Sequence, residues 1–331
     1  MTRATGVGSW PGDDAAAYAE AVKAVLGELP DLQHVPELPG RGAIASMTGR
    51  SLALLEGLDV DLQPAGWRLV GTSGSPCIDH RRTRSLLAQD LDAVEEQAQG
   101  YEGAFKTQVA GPWTLAATVE KPRGDRVLAD HGARRELAES LAEGLRTHVR
   151  EMRRRVPGAT SWVVQVDEPA LPAVLGAQVP TASGFGKHRA VHPPEASELL
   201  GLVLSAIADE GAEPWVHSCA PGVPWDLVRG AGATGLVVDL SVLSAADHDQ
   251  LAEALEAGTT VHLGVVPTTD PAGEVTDARL VERVERWLDM LGLDPAAGPL
   301  VVGPGCGLAG ASPGWARRAM VLSRQVAAAL T

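Results

Sequence analysis

The stretch SWVVQVDEP, residues 161–169, joins an apolar run to an aspartate and a glutamate. An apolar run without strict alternation is typical of a strand that is buried on both faces, as in a parallel sheet. Seven other runs of strand length recur along the chain. They are ATGVGSW at 4–10, LQHVPEL at 32–38, AFKTQVAG at 104–111, EPWVHSC at 213–219, TGLVVDLSV at 234–242, TTVHLGVV at 259–266 and PLVVGPGCG at 299–307.

Segments with helical spacing of apolar residues lie between these strands, for example DDAAAYAEAVKAVLGEL at 13–29. Eight such units in 331 residues predict an α/β fold, a single (β/α)8 TIM barrel, with one catalytic domain over residues 1–331. An excursion from the repeat is predicted around residues 57–100. It contains a hairpin, VDLQPAGWRLVG at 60–71, and a helical segment at 79–101.

Charge and composition exclude several classes of partner. A formal net charge of −14 repels phosphate backbones and anionic lipid, so nucleic acid and membrane surfaces are not expected partners. We find no targeting signal near residue 1 and no uninterrupted apolar run of about 20 residues, and therefore expect a cytoplasmic protein. Three cysteines, Cys77, Cys219 and Cys306, are too few for a disulfide scaffold and suit a reducing compartment.

Polar residues follow the predicted strands at their carboxyl ends, which in such a barrel meet at one rim. They are Ser9, Glu37, Asp167, Glu168, His217, Cys219, Asp239 and Cys306. One histidine, two cysteines and a carboxylate are ligand types that zinc prefers. The pair His217 and Cys219 alone is weak evidence for a metal site, because a cysteine near a strand end is often a small buried hydrophobe. A second cysteine at another strand end favours the metal, although Asp239 could instead cap the following helix.

Several motifs give the chain a family resemblance. They are GVGSWPG, HVPELPGRG, VAGPWTLA, VVQVDEPAL, VHSC, GLVVDLS and GPGCGL. In order and spacing the chain resembles the catalytic carboxyl-terminal barrel of cobalamin-independent methionine synthase, over nearly its full length. That barrel belongs to a superfamily that includes uroporphyrinogen decarboxylase and corrinoid-linked thiol methyltransferases.

The resemblance implies that zinc is held by four residues and ionises the thiol of homocysteine. These ligands are His217, Cys219, Asp239 and Cys306. The family normally has glutamate where Asp239 stands, and a shorter carboxylate is a departure from that pattern.

The resemblance also implies an amino-acid site. Val7, Gly8 and Ser9 are expected to contact the substrate carboxylate, while Glu37 and Asp167 hold its ammonium; Asp167 is also the expected catalytic residue. Structural alternatives stay open for the polar side chains. Ser9 could be a turn residue, Glu37 a solvated loop acid and Asp167 a capping group.

One aromatic residue and two departures from the family bear on the methyl donor. Trp113 in GPWTLA could be a flat platform for a ring-bearing donor or could pack in the core. The family carries an aspartate and a histidine after strand seven, where this chain has Thr268 and Thr269. These 331 residues are also expected to contain no counterpart of the family's amino-terminal barrel. These departures suggest methylcobalamin on a partner corrinoid protein, rather than free methyltetrahydrofolate, as donor.

We therefore expect a zinc-dependent S-methyltransferase that forms methionine from homocysteine. Such an enzyme is similar to 5-methyltetrahydropteroyltriglutamate–homocysteine methyltransferase or is a corrinoid-dependent variant of it. Three alternatives remain: a methyltransferase for another thiol, a lyase similar to uroporphyrinogen decarboxylase, and a non-catalytic protein that binds zinc and thiols.

Overall fold

The computed structural model describes residues 2–71, 77–294 and 298–330. Within them the strands are β1 Arg3–Ala4, β2 Leu32–His34, β3 Asp59–Gln63, β4 Gly66–Val70, β5 Ala104–Ala110, β6 Ser161–Asp167, β7 Glu213–Ser218, β8 Gly235–Asp239, β9 Thr260–Val266 and β10 Leu300–Pro304.

Helices connect the strands along the described chain. The α-helices are α1 Ala15–Glu28, α2 Met47–Leu52, α3 Ile78–Gln97, α4 Pro112–Thr118, α5 His131–Arg155, α6 Leu171–Leu175, α7 Pro193–Asp209, α8 Trp225–Gly230, α9 Ala245–Glu256, α10 Asp277–Leu291 and α11 Pro313–Ala329. Short 3-10 helices lie at Pro39–Arg41, Ala43–Ala45, Val127–Ala129 and Leu240–Val242. Across the residues that the structure describes, none of these helices is long and apolar enough to cross a membrane.

Eight strands pair in parallel to form the barrel, in the order β1-β10-β9-β8-β7-β6-β5-β2. This arrangement confirms the predicted (β/α)8 fold, and the eight predicted strand runs are its eight strands. β1 and β2 stand at the two edges of the sheet, and the chain that follows them joins these edges. There the Glu37 N–H donates to the Gly8 carbonyl at 3.1 Å, and the Trp10 N–H donates to the Glu37 carbonyl at 2.7 Å.

The first strand is shorter than the predicted run 4–10. The Val7 carbonyl points at side chains instead of a neighbouring strand, because it accepts hydrogen bonds from Lys106 Nζ and Gln165 Nε2. Gly8 then has a φ of +152°, and a Cβ at this position would lie 2.6 Å from Gln108 Nε2. The segment after β1 therefore leaves the ladder, and its residues approach the interior of the barrel.

The predicted excursion is also present. β3 and β4 form an antiparallel hairpin, and α3 follows it; residues 72–76 between them lie outside the described residues. α3 packs against α1 and α5, so this helix is the helical partner of the second barrel strand. The hairpin therefore lies apart from the strand–helix repeat, whereas α3 belongs to it.

The barrel interior is filled in layers by alternate residues of the strands. An apolar layer at the amino-terminal side includes Leu32, Ala104, Val163, Trp215 and Val301. Two residues further along three of these strands, the interior side chains are polar and buried. They are His34, Lys106 and Gln165, and His262 of β9 is buried with them. A polar layer therefore lies directly beneath the carboxyl ends of the strands.

Candidate metal centre

Three side chains from two distant parts of the chain meet at the rim. One ligand atom from each of His217, Cys219 and Cys306 lies within 4.8 Å of the others. His217 and Cys219 are two residues apart at the end of β7, which places them on one face of the strand. Cys306 follows β10; its Sγ lies 2.6 Å from Cys219 Sγ and 3.9 Å from His217 Nε2. The structure thus brings three of the four predicted ligands together.

The imidazole of His217 is held in the tautomer that a metal requires. Its Nδ1 lies 3.0 Å from the Val237 carbonyl, which can only accept, so Nδ1 carries hydrogen and donates. Nε2 is the remaining ligand atom and faces the cysteines. A backbone carbonyl behind a histidine is a common way to orient a metal ligand.

One of the two thiols ionises readily at the expense of the other, because the contact that lowers the pKa of Cys219 raises that of Cys306. The Cys306 thiol and His217 lower the pKa of Cys219 to about 4, so Cys219 is a thiolate at neutral pH. Burial lowers the pKa of His217, but Cys219 and Asp167 reverse this effect and raise it above its ordinary value. An imidazole nitrogen, a thiolate and a second thiol form a donor set that suits zinc, which prefers N and S ligands.

Asp239 is not part of this cluster, contrary to the four-residue ligand set expected from the sequence. Its Oδ1 accepts hydrogen bonds from Ser241 N at 2.8 Å and Ser241 Oγ at 2.7 Å. It caps the short helix Leu240–Val242, which is the alternative noted in the sequence. The reason is local: a short side chain at a strand end finds its nearest donors in the turn that follows it.

A cavity of about 260 Å³ opens beside the three clustered ligands. Its remaining lining consists of Val7, Gly8, Ser9, Glu37, Pro39, Met47, Gln108, Asp167, Pro169 and Gly307. All five residues that the sequence analysis assigned to the amino-acid site therefore border the same cavity as the candidate metal ligands.

Glu37 reaches the cavity with an arginine behind it. Arg50 Nε lies 3.4 Å from Glu37 Oε1, and both side chains are buried. The other end of the Arg50 guanidinium pairs with Asp90, which also accepts two hydrogen bonds from Arg41, each at 2.7 Å. This buried chain of charges fixes the position of the Glu37 carboxylate.

Asp167 is the second acid of the cavity. Gln165 Nε2 donates a hydrogen bond of 2.7 Å to its Oδ1. Burial raises the pKa of Asp167 to about 7; His217 acts against this shift, and Glu37 adds to it. An incoming ammonium group would favour the ionised form of both acids, because each carboxylate then gains an opposite charge.

Ser9 lies close to the cysteine end of the cavity. Its carbonyl accepts from Leu308 N at 2.9 Å, and its Oγ accepts from Ala309 N at 3.4 Å. A Cβ at Gly307 would come within 1.9 Å of Ser9 Oγ. Glycine at this position therefore allows the loop after Cys306 to pack directly on the Ser9 hydroxyl.

Trp113 does not border the cavity, contrary to the expectation of a donor platform. It lies in the first turn of α4, is 1% exposed, and its Nε1 donates to the Ala196 carbonyl at 2.9 Å. The carboxylate of Glu168 anchors the same turn, because it accepts from Trp113 N and Thr114 N. Core packing, the other interpretation from the sequence, describes its position.

Three buried residues that support the site were not predicted from the sequence, namely Arg50, Lys106 and Gln165. Lys106 had a visible signal, since a lysine inside the apolar run AFKTQVAG is a charge in a strand expected to be buried. Arg50 had none, because nothing in its surroundings in the sequence indicates that it pairs with Glu37.

Comparisons with known proteins bear on the family and the fold of this chain. The family model described as "Cobalamin-independent synthase, Catalytic domain" matches residues 95–329. The structure of a B12-independent methionine synthase from Shewanella sp. W3-18-1, in complex with selenomethionine, is similar with a TM-score of 0.64. It is 14% identical, and the match covers 100% of this chain and 98% of that one.

Other matches are weaker or absent. A β-mannanase from the blue mussel Mytilus edulis has a TM-score of 0.45 at 10% identity, with 98% of this chain and 92% of that chain covered. No curated protein matches the sequence. Because the family model covers more than half of the chain, the protein belongs to the family of the cobalamin-independent synthase catalytic domain.

Proposed function

We propose that this protein transfers a methyl group to the thiol of homocysteine and so forms methionine. The observation that carries the proposal is a single cavity with two thiols and an imidazole at one end and two carboxylates nearby. A thiol that is also an amino acid needs both kinds of group. Membership of the cobalamin-independent synthase family supports the same reaction class.

In this proposal His217, Cys219 and Cys306 hold zinc, and the sulfur of the substrate completes the set. A bound zinc ion would supply the Lewis acidity that keeps the substrate sulfur as a thiolate at neutral pH. The protein's own contribution is to present ordered ligands. His217 is oriented by the Val237 carbonyl, and Cys219 is already ionised.

The two acids and the chain after β1 would bind the amino-acid end of homocysteine. Glu37 and Asp167 offer carboxylate oxygens to the ammonium group, while Val7, Gly8 and Ser9 border the cavity where the substrate carboxylate would lie. The supporting network of Arg50 and Gln165 keeps both acids from turning away. Asp167 would thus act in catalysis by positioning the nucleophile through its substrate contact.

During transfer a sulfur–carbon bond forms and the bond between the methyl carbon and the donor breaks. Its electron pair remains on the donor, which then takes up a proton if the donor is methyltetrahydrofolate. Thr268 and Thr269 cannot supply that proton near neutral pH. Asp270, the next residue, is engaged instead with Ser312, from which it accepts two hydrogen bonds. We propose that water delivers the proton.

The family of the chain bears on the choice of methyl donor. The family is defined by cobalamin-independent enzymes, which favours methyltetrahydrofolate over the methylcorrinoid that the sequence departures suggested. We therefore propose methyltetrahydrofolate as the first donor to test, with methylcobalamin as its alternative.

A two-donor assay tests the function. Zinc-loaded protein is incubated with L-homocysteine and either methyltetrahydrofolate or methylcobalamin, and methionine is measured by mass spectrometry. Methionine from either donor supports methyl transfer and identifies the donor. Binding of homocysteine without methionine from both donors would favour the non-catalytic thiol-binding alternative. Full decarboxylase activity on a multi-carboxylate tetrapyrrole, in metal-free protein, would favour the lyase.

A further inference from the structure

Lys106 is a fully buried cation under the floor of the cavity. It lies in the middle of β5 with 0% exposure. Its Nζ donates to the Val7 carbonyl at 2.8 Å and to Gln165 Oε1 at 2.9 Å, and Gln108 Oε1 lies at 3.4 Å. An ammonium group has three hydrogens, so these acceptors use all of its donors. Burying a charge is unfavourable unless it is fully hydrogen-bonded, and here it is.

The charge of Lys106 is balanced by the acids of the cavity. Burial lowers the pKa of Lys106 to about 8, while Asp167 and Glu37 act to raise it. The hydrogen-bond acceptors of Nζ are all uncharged oxygens, so the compensating charges lie further away, on the cavity side. The lysine is thus electrostatically coupled to the same two acids that border the cavity.

Lys106 also holds the oxygen end of the Gln165 amide. Because an ammonium group cannot accept a hydrogen bond, Gln165 must turn its carbonyl oxygen toward Lys106. The amide nitrogen then faces the other way, where it donates to Asp167 Oδ1 at 2.7 Å and to the Val7 carbonyl at 3.1 Å. Asp167 Oδ1 and the Val7 carbonyl are both acceptors and hold the nitrogen end, so loss of Lys106 would leave the oxygen end without its charged donor and loosen the amide.

The Val7 carbonyl is held by both side chains at once. Lys106 and Gln165 each donate to it, and this peptide leads directly into Gly8 and Ser9. One buried cation therefore connects the segment after β1 with the acid at the end of β6. These are the two elements that border the amino-acid end of the cavity.

We propose that Lys106 is a positioning residue for the amino-acid group of the acceptor: it fixes the Val7 peptide and, through the Gln165 amide, the Asp167 carboxylate. This inference rests on the proposed function, because it assumes an acceptor with an ammonium and a carboxylate. It assigns to the middle layer of the barrel a role in substrate affinity, separate from the metal ligands above it.

The test uses calorimetric binding of three probes to Lys106→Met and to Gln165→Met. Met removes the donors of Lys106 while keeping an unbranched chain, and Gln165→Met breaks the link to Asp167 without removing a charge. On zinc-loaded protein, L-homocysteine binding should weaken roughly 10- to 100-fold in both variants, since small displacements of positioning groups have effects of this size. L-Methionine has the same amino-acid group, so its binding should weaken by a similar factor. This should hold in metal-free protein as well.

The third probe, 2-mercaptoethanol, has a thiol but no amino-acid group, and its binding to the zinc-loaded variants should match wild type. Thr107→Val is the matched control, because it removes a buried hydrogen bond to His148 from the opposite face of β5. Unchanged homocysteine binding in a folded variant overturns the proposal, as does equal weakening of all three probes. If Lys106→Met does not fold, Gln165→Met decides. Failure of wild-type protein to bind homocysteine would refute the proposed function instead.

Discussion

Cys219 and Cys306 are 87 residues apart in the chain, yet their Sγ atoms lie 2.6 Å apart at the rim of the barrel. The contact arises because β7 and β10 end at the same rim, and because Cys306 lies in the glycine-rich turn that follows β10. With His217 on the same face as Cys219, the pair forms a cluster suited to a soft divalent cation.

Replacing one cysteine of this cluster should remove the metal. Cys306→Ser leaves two ligands, so we expect zinc affinity to fall by more than about 100-fold, beyond the effect of an outer-shell change. Zinc content after dialysis, measured by mass spectrometry, checks this. Cys77→Ser is the control, because Cys77 precedes α3 and does not border the cavity. Full zinc content in Cys306→Ser would contradict the proposed metal site.

Two substitutions distinguish helix capping by Asp239 from zinc binding. As a helix cap it should tolerate Asn, which also accepts from Ser241, whereas Asp239→Ala should cost about 1 kcal/mol in the free energy of unfolding. Both variants should keep wild-type zinc content. Urea unfolding and metal analysis on the same samples provide the two readouts. Loss of zinc from Asp239→Asn would return Asp239 to the ligand set.

The acids of the cavity should affect acceptor binding and leave the metal in place. Glu37→Gln and Asp167→Asn each remove a charge that would face the substrate ammonium, so homocysteine affinity should fall about 10- to 100-fold. Zinc content should not change. Glu120→Gln is a matched control, since Glu120 is a buried acid paired with Arg68 outside the cavity. If the control weakens homocysteine binding equally, the two acids have no specific role.

Trp113 should contribute to stability rather than to donor binding. Trp113→Phe removes the hydrogen bond to the Ala196 carbonyl and should lower the free energy of unfolding by about 1 kcal/mol. The KM for the methyl donor should stay at the wild-type value. Unfolding curves and donor titrations of the same variant distinguish these effects. A raised donor KM with unaltered stability would support the platform interpretation.

A buried histidine should make the fold sensitive to acid. Burial lowers the pKa of His148 from its ordinary value near 6.5 to about 4. Above pH 6.5 the residue is neutral in both states and has no effect. Below pH 6.5 His148 is protonated in the unfolded chain but stays neutral in the folded protein, so stability is lost as pH falls from 6.5 toward 4. The loss amounts to about 2 kcal/mol at pH 5.

The difference between His148→Gln and wild type isolates this contribution from other titrating groups. Glutamine can still hydrogen-bond Thr107 but does not titrate, so the variant should lose less stability between pH 7.5 and pH 5. Urea unfolding in the presence of a chelator excludes metal release. Equal acid sensitivity of His148→Gln and wild type would refute the prediction.

Much of the fold was readable from local patterns. The eight runs that predicted strands are the eight barrel strands, because a strand buried on both faces must be apolar along its length wherever it sits in the sheet. The hairpin at β3 and β4 was likewise visible in its alternation. The residue at which β1 ends could not be predicted from local patterns. It depends on hydrogen bonds from Lys106 and Gln165, which lie far away in the sequence.

The candidate site shows the same division. His217 lies in β7 and Cys219 directly follows the end of that strand, two residues further on, so their common direction follows from strand geometry. Strand geometry does not determine whether Asp239 or Trp113 reaches the cavity. Both residues follow strands. However, Asp239 accepts a hydrogen bond from Ser241 in its own turn, and Trp113 donates one to the Ala196 carbonyl of α7.

The amino-acid sequence by itself determined which segments are strands, which ends carry polar groups, and that a thiol and an imidazole share one face. Only the tertiary structure decided which acids face the cavity and which buried cation supports them. The physical reason is that strand character depends on neighbours along the chain, whereas the direction of a polar side chain depends on competition among hydrogen-bond partners that folding brings together.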